Sequence, residues 1–198
     1  MNGGFPPPRA MTAPLTARTT ILLLAFACAV CLRSVLSGAS GSESMSAGLV
    51  FAGCLTALGV AAGLPAPRRP MISVLSGTLG AAVLTVPALL RADPVSLAQR
   101  PIAGFVPWIA VAATVAVTEE AFLRGTLFGL ITQLHGEAAA VLVSAIAFAG
   151  LHVPLYGWHV VPLDIAVGML LAMLRILTGN WCAAAVAHVL ADAAGWWL

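Results

Sequence analysis

Residues 109–130 read IAVAATVAVTEEAFLRGTLFGL, an apolar run broken once by Glu119, Glu120 and Arg124. Ionisable side chains are expensive in a bilayer and are kept there mainly for function. On a helix, residues three and four apart share a face, so Glu120 and Arg124 can pair while Glu119 points about 100° away. An arginine beside one carboxylate holds it ionised and leaves its neighbour easier to protonate. The two glutamates therefore have different jobs. A buried ion pair that only fixes helix packing would account for Glu120 and Arg124 but not for Glu119.

The rest of the chain extends this pattern. It is 61% hydrophobic and 8% charged over 198 residues, with a mean hydropathy of +1.02, against about 25% charged residues in soluble domains. Apolar runs at 19–36, 45–64, 72–90, 102–130, 138–155, 160–177 and 181–198 are each near the roughly 20 residues that cross a bilayer. They predict an all-α membrane protein, a polytopic bundle of about seven transmembrane helices. Residues 1–18, rich in Gly and Pro with Arg9 and Arg18, read as a disordered basic tail. Residues 19–101 read as three N-terminal spans, and 102–198 as the remaining helical core. The first run is taken as a retained span rather than a cleaved signal peptide, because Arg33 interrupts it.

All nine basic residues are arginine and the net charge is +2. No basic stripe exists for phosphates, which sets nucleic acid aside as a partner. With the N-terminus in the cytoplasm, Arg9, Arg18, Arg68, Arg69 and Arg175 fall inside and Arg33, Arg91 and Arg100 outside, as the positive-inside rule favours. Cys28, Cys31, Cys54 and Cys182 lie in apolar segments and read as small apolar residues rather than a metal or redox site.

Two further polar strings lie downstream. Phe148 and His152 form one; His188 and Asp192, four apart on one helix face, form the other. Asp164, Arg175, Trp158, Trp196 and Trp197 read as interfacial anchors. His135 and His159 fall in loops and are given no role. Gly77 with Ala81, Gly125 with Gly129, and Gly168 with Ala172 have the small-xxx-small spacing of close helix contacts. If the fifth and seventh helices start at 138 and 181, His152 lies deeper along its helix than His188 by about 10 Å at 1.5 Å per residue, so one helix must shift or tilt.

Together the strings resemble the CAAX protease and bacteriocin-processing (CPBP, or Abi) family of intramembrane peptidases, whose pattern is EExxxR, FxxxH and HxxxN or HxxxD. Glu119, Glu120 and Arg124 match the first, Phe148 and His152 the second, and His188 and Asp192 the third. The resemblance covers about residues 102–198. Ala172 stands where relatives often have glycine, and Asp192 replaces the commoner asparagine, adding a negative charge beside His188. The resemblance implies an endopeptidase acting on a membrane-anchored protein or peptide within the lipid bilayer of a bacterial inner (plasma) membrane. Two chemistries stay open. Glu119, His152 and His188 would hold Zn2+ with an open position for water; alternatively Glu119 and His152 would activate water without metal, with His188 and Asp192 stabilising the oxyanion. The competing class is a non-catalytic polytopic protein, transporter-like or a bacteriocin-immunity protein, that uses the same polar core for binding; the chain shows no internal repeat of the kind transporters carry.

Overall fold

A computed structural model describes residues 9–38, 44–90 and 102–198. Among these residues every regular element is helical: α1 (Arg9–Ser37), α2 (Met45–Ala61), α3 (Pro70–Leu89), α4 (Ile102–Glu120), a π-helical segment (Ala121–Leu127), α5 (Phe128–Tyr156), a 3-10 turn (Trp158–Val160), α6 (Val161–Thr178) and α7 (Cys182–Gly195). Helices satisfy their own backbone hydrogen bonds, which is why an apolar chain in lipid adopts them. Arg91 and Arg100, with the loop charges Glu43 and Asp93, lie outside the described residues.

Among the described residues four stretches are long and apolar enough to cross a membrane: Leu15–Ser37, Pro70–Leu89, Ile102–Tyr156 and Trp158–Thr178. The third is 55 residues long and is broken at Gly136, whose φ of 84° and ψ of 173° are not helical. Glycine takes that conformation without a Cβ penalty. The chain thus turns near 136, and helical passes 102–135 and 137–156 follow each other. The expected seven runs all appear as helical passes, but α2 and α7, at 17 and 14 residues, fall short of a full span by length. The N-terminal expectation shifts as well: the helix starts at Arg9 rather than near Thr19, and Arg18 donates to the carbonyl of Ala62 at the end of α2. The alanines, Met11 and Leu15 between Arg9 and Arg18 are good helix formers.

The outer surface is apolar, with Ile21, Leu24, Leu75, Leu79, Val106, Leu142 and Ile146 all exposed. Cys28 and Cys31 are exposed among them and free, like Cys54 and Cys182. Such a surface suits lipid, so the chain is an integral membrane protein. The interior is close-packed around Phe51, Phe122, Leu123, Leu127, Leu151 and Leu171, and α1 joins it through Leu22, Phe26 and Ala29, with Phe26 stacked 5.3 Å from Phe122.

Small residues set the helix contacts that place the site. A Cβ on Gly77 would fall 2.6 Å from Val186 Cβ and 2.7 Å from the Ala183 carbonyl, so glycine lets α3 lie against α7. Gly168 does the same between α6 and α5, where a Cβ would come within 2.8 Å of Ala145 Cα. Gly129 does not share this duty, since nothing lies within 4 Å of its Cβ position.

Candidate active site

The π-helical segment starts directly after Glu120, and all seven of its residues are buried. A π segment shifts the face that follows it, and such segments often occur at functional sites. Here it carries Arg124 into the bundle interior. Arg124 Nη1 donates to Glu120 Oε1 at 2.8 Å, with both side chains wholly buried. Its Nη2 donates to the Gly168 carbonyl at 3.0 Å, and its guanidinium lies 4.8 Å over the Phe148 ring. The expected i,i+4 pair is present, and it ties α4 to α5 and α6.

Glu120 also reaches α7. His188 Nδ1 lies 3.1 Å from Glu120 Oε1, and on the other side of the ring Nε2 is 3.7 Å from Asp192 Oδ1. Because a carboxylate only accepts, the His188 nitrogen facing Glu120 is the protonated one. Glu120 is therefore an anchor for two cationic or donor groups at once.

Glu119 points elsewhere, as its spacing predicts, but it is not left without a cation. Arg33 Nη1 on α1 donates to Glu119 Oε1 at 3.0 Å. This corrects the expectation that a single arginine would distinguish the two carboxylates: each glutamate has its own. It also moves Arg33 from the outer loop charges into the bundle.

A cavity of about 130 Å³ is lined by Glu119, His152, His188 and Asp192, with Arg33, Trp108 and Tyr156 among the other walls. That volume has room for several waters. Glu120 and Arg124 are not in its wall; they stand behind His188 and support it. A second cavity of about 370 Å³, with Leu84, Ala88, Leu163 and Val167 in its mainly apolar wall, meets His152, His188 and Asp192 from the other side. Both histidines reach the smaller cavity despite the anticipated depth mismatch, and the Phe148 ring centre is 4.7 Å from His152 and 5.4 Å from His188.

Residues 101–194 match the family model described as type II CAAX prenyl endopeptidase Rce1-like. This C-terminal segment is similar to that family. No curated protein and no solved structure matches the chain. The matched segment holds all three polar strings and ends two residues after the last of them, in keeping with the resemblance they carry.

Within the Rce1-like segment the zinc expectation can be tested on donor geometry. Among the described residues no three His, Cys, Asp or Glu side chains are grouped to hold a metal ion. Glu119 is turned to Arg33, His188 to Glu120 and Asp192, and His152 Nδ1 to Asp164 Oδ2 at 3.3 Å. The set Glu119, His152 and His188 does not fit a zinc site as arranged.

Three of the expected anchors turn out to face inward. Asp164, in the first turn of α6, sits beside His152. Arg175 Nε donates to the Arg124 carbonyl at 3.0 Å, bracing the π-helical segment. Trp196 packs 4.9 Å from Trp108, which lines the cavity. Trp158 remains exposed, in keeping with an interfacial position. His152 lies one turn before the end of α5, which continues through Pro154 to Tyr156.

Proposed function

We propose that the chain is an intramembrane endopeptidase that hydrolyses a peptide bond of a membrane-associated protein or peptide by a metal-free, glutamic-type mechanism. The observation that supports this reading most directly is the meeting of Glu119, His152, His188 and Asp192 around one cavity, with room for several waters, inside a membrane bundle. A polar core used only for binding would need the Glu120–Arg124 pair but gives no reason for a carboxylate and two imidazoles around a water cavity. In the proposed reaction a water in the cavity gives its proton to Glu119, with His152 assisting, as its oxygen attacks the scissile carbonyl carbon. His188, held at Nδ1 by Glu120, turns Nε2 toward the cavity, where in its doubly protonated form it donates to the oxyanion. Asp192 orients that side of the ring. Collapse of the tetrahedral adduct breaks the C–N bond, and the proton taken by Glu119 passes to the leaving amine.

We further take all seven helical passes as spans or part-spans in a bacterial inner membrane, with the N-terminus in the cytoplasm. Arg18, Arg68 and Arg175 gather at one end of the bundle, which supports a cytoplasmic placement for that end. Ser44, Tyr156 and Asp192 mark the cavity end, opposite to it. The substrate then approaches from the extracytoplasmic half of the bilayer. Detergent-purified protein incubated with an internally quenched peptide ending in a farnesylated CAAX tetrapeptide tests the activity. Cleavage that survives a zinc chelator is expected; no cleavage of this peptide or of other membrane-anchored peptides would defeat the reading.

A further inference from the structure

Arg33 sits one turn before the end of α1, outside the Rce1-like segment, yet it contacts the glutamate on which the proposed chemistry turns. Its side chain is 12% exposed, and its Nη1 is 3.0 Å from Glu119 Oε1. The guanidinium lies 4.8 Å over the Phe51 ring of α2, which fixes its plane as well as its position. Among the described residues it is the one arginine in the cavity wall, where Glu119 and Asp192 are the carboxylates.

We propose that Arg33 is a positioning residue that fixes the Glu119 carboxylate, so that the working site extends from the Rce1-like segment into the first helix. A glutamate has three side-chain torsions, and Glu119 follows on the chain directly before Glu120, whose charge repels it. Glu120 is already matched by Arg124. Without Arg33, the Glu119 carboxylate loses the hydrogen bond that gives it a direction. With one oxygen held by Nη1, the other is the one available to take a proton from water. Lysine supplies the charge but neither the planar fork nor the stacking on Phe51, so it replaces arginine only in part.

This proposal rests on the hydrolytic reading, and the same farnesylated quenched peptide serves as its probe. Arg33→Gln is expected to lower kcat roughly a hundredfold, the cost of about an ångström of misplacement, with KM unchanged. Arg33→Lys should recover part of the loss, and added guanidinium ion should raise the rate of Arg33→Gln but not that of wild type. Wild-type kcat in Arg33→Gln would overturn the proposal, as would a raised KM at constant kcat, which would make Arg33 a substrate contact. If Arg33→Gln does not fold, the kcat and KM of Arg33→Lys carry the same decision. Failure of the wild-type protein to cut this peptide or other membrane-anchored peptides defeats the hydrolytic reading instead. The melting temperatures of Arg33→Lys, Glu119→Ala and the double variant then decide the contact: non-additive shifts uphold it and additive shifts overturn it.

Discussion

His188 Nδ1 lies 3.1 Å from Glu120 Oε1, across 68 residues of sequence. The same oxygen receives Arg124 Nη1 at 2.8 Å, so one buried carboxylate holds the structural cation and aims the imidazole. Glu120→Gln removes the charge from both contacts. Breaking a buried pair by removing one partner costs about 3–5 kcal/mol, because Arg124 keeps its charge inside the bundle. A lower melting temperature and yield in detergent are expected together with lost cleavage. A Glu120→Gln protein as stable as wild type would mean that the pair does not hold the bundle.

Glu119→Gln tests the chemistry without that structural penalty. Glu119 meets Arg33 at the cavity edge rather than at the packed centre, and glutamine can still accept the Arg33 hydrogen bond. Cleavage of the farnesylated peptide should fall by about two to four orders of magnitude, while the melting temperature stays near that of wild type. An active Glu119→Gln protein would sink the proposed mechanism.

The helical class could be read from composition because lipid leaves few alternatives to helices, and most helix boundaries lie within about five residues of where the apolar runs stop, the start of α1 at Arg9 excepted. Glu120 with Arg124 could be read because an i,i+4 pair is written locally. The joining of Glu119, His152, His188 and Asp192 could be anticipated from the cost of turning any of them to lipid. Arg33 with Glu119 could not, since the two are 86 positions apart and their meeting depends on how α1 is rotated against α4. Asp164 was hidden for a similar reason: one acidic residue in the first turn of a membrane helix looks the same whether it faces headgroups or a histidine. The π-helical segment left no signal in an alanine- and leucine-rich stretch, although it decides where Arg124 points.

The orientation of the bundle is open to chemical labelling. After removal of Cys28, Cys31, Cys54 and Cys182, a cysteine at Ala66, beside the Arg68–Arg69 turn, should react in intact cells with a membrane-permeant thiol reagent only. A cysteine at Ser44, in the wall of the cavity, should react with an impermeant reagent as well. The reverse pattern would place the cavity on the cytoplasmic side.

Two glycines predict opposite outcomes from one substitution. Gly77→Ala puts a Cβ 2.6 Å from Val186 and 2.7 Å from a backbone carbonyl, forcing α3 away from α7, and overpacking of this kind costs about 1–3 kcal/mol. Gly129→Ala enters open space in a helix, where alanine is favoured by up to about 1 kcal/mol. Melting temperatures in detergent should fall for the first and hold or rise for the second. Equal shifts would mean that the close α3–α7 contact is not there.

Asp164 and His152 give the final test, because they connect a residue with no place in the three polar strings to one of the proposed catalytic groups. The carboxylate Oδ2 is 3.3 Å from His152 Nδ1, with side-chain exposures of 16% and 15%, and among the described residues neither atom has a hydrogen-bond partner. The two atoms are thus in contact without a hydrogen bond, and a small rotation of either side chain would form one, leaving His152 Nε2 to serve the cavity water. A carboxylate in this relation fixes both the direction and the tautomer of an imidazole. Asp164→Asn keeps the shape but removes the charge, and it can present an amide N–H where Nδ1–H needs an acceptor. The expected result is a fall in kcat of up to about a hundredfold, with KM and melting temperature close to wild type, and a still larger loss for His152→Ala. In an Asp164→Asn/His152→Ala double variant, the asparagine should cost nothing beyond the alanine. Additive losses in the double variant would show that Asp164 acts on the reaction by a route other than His152.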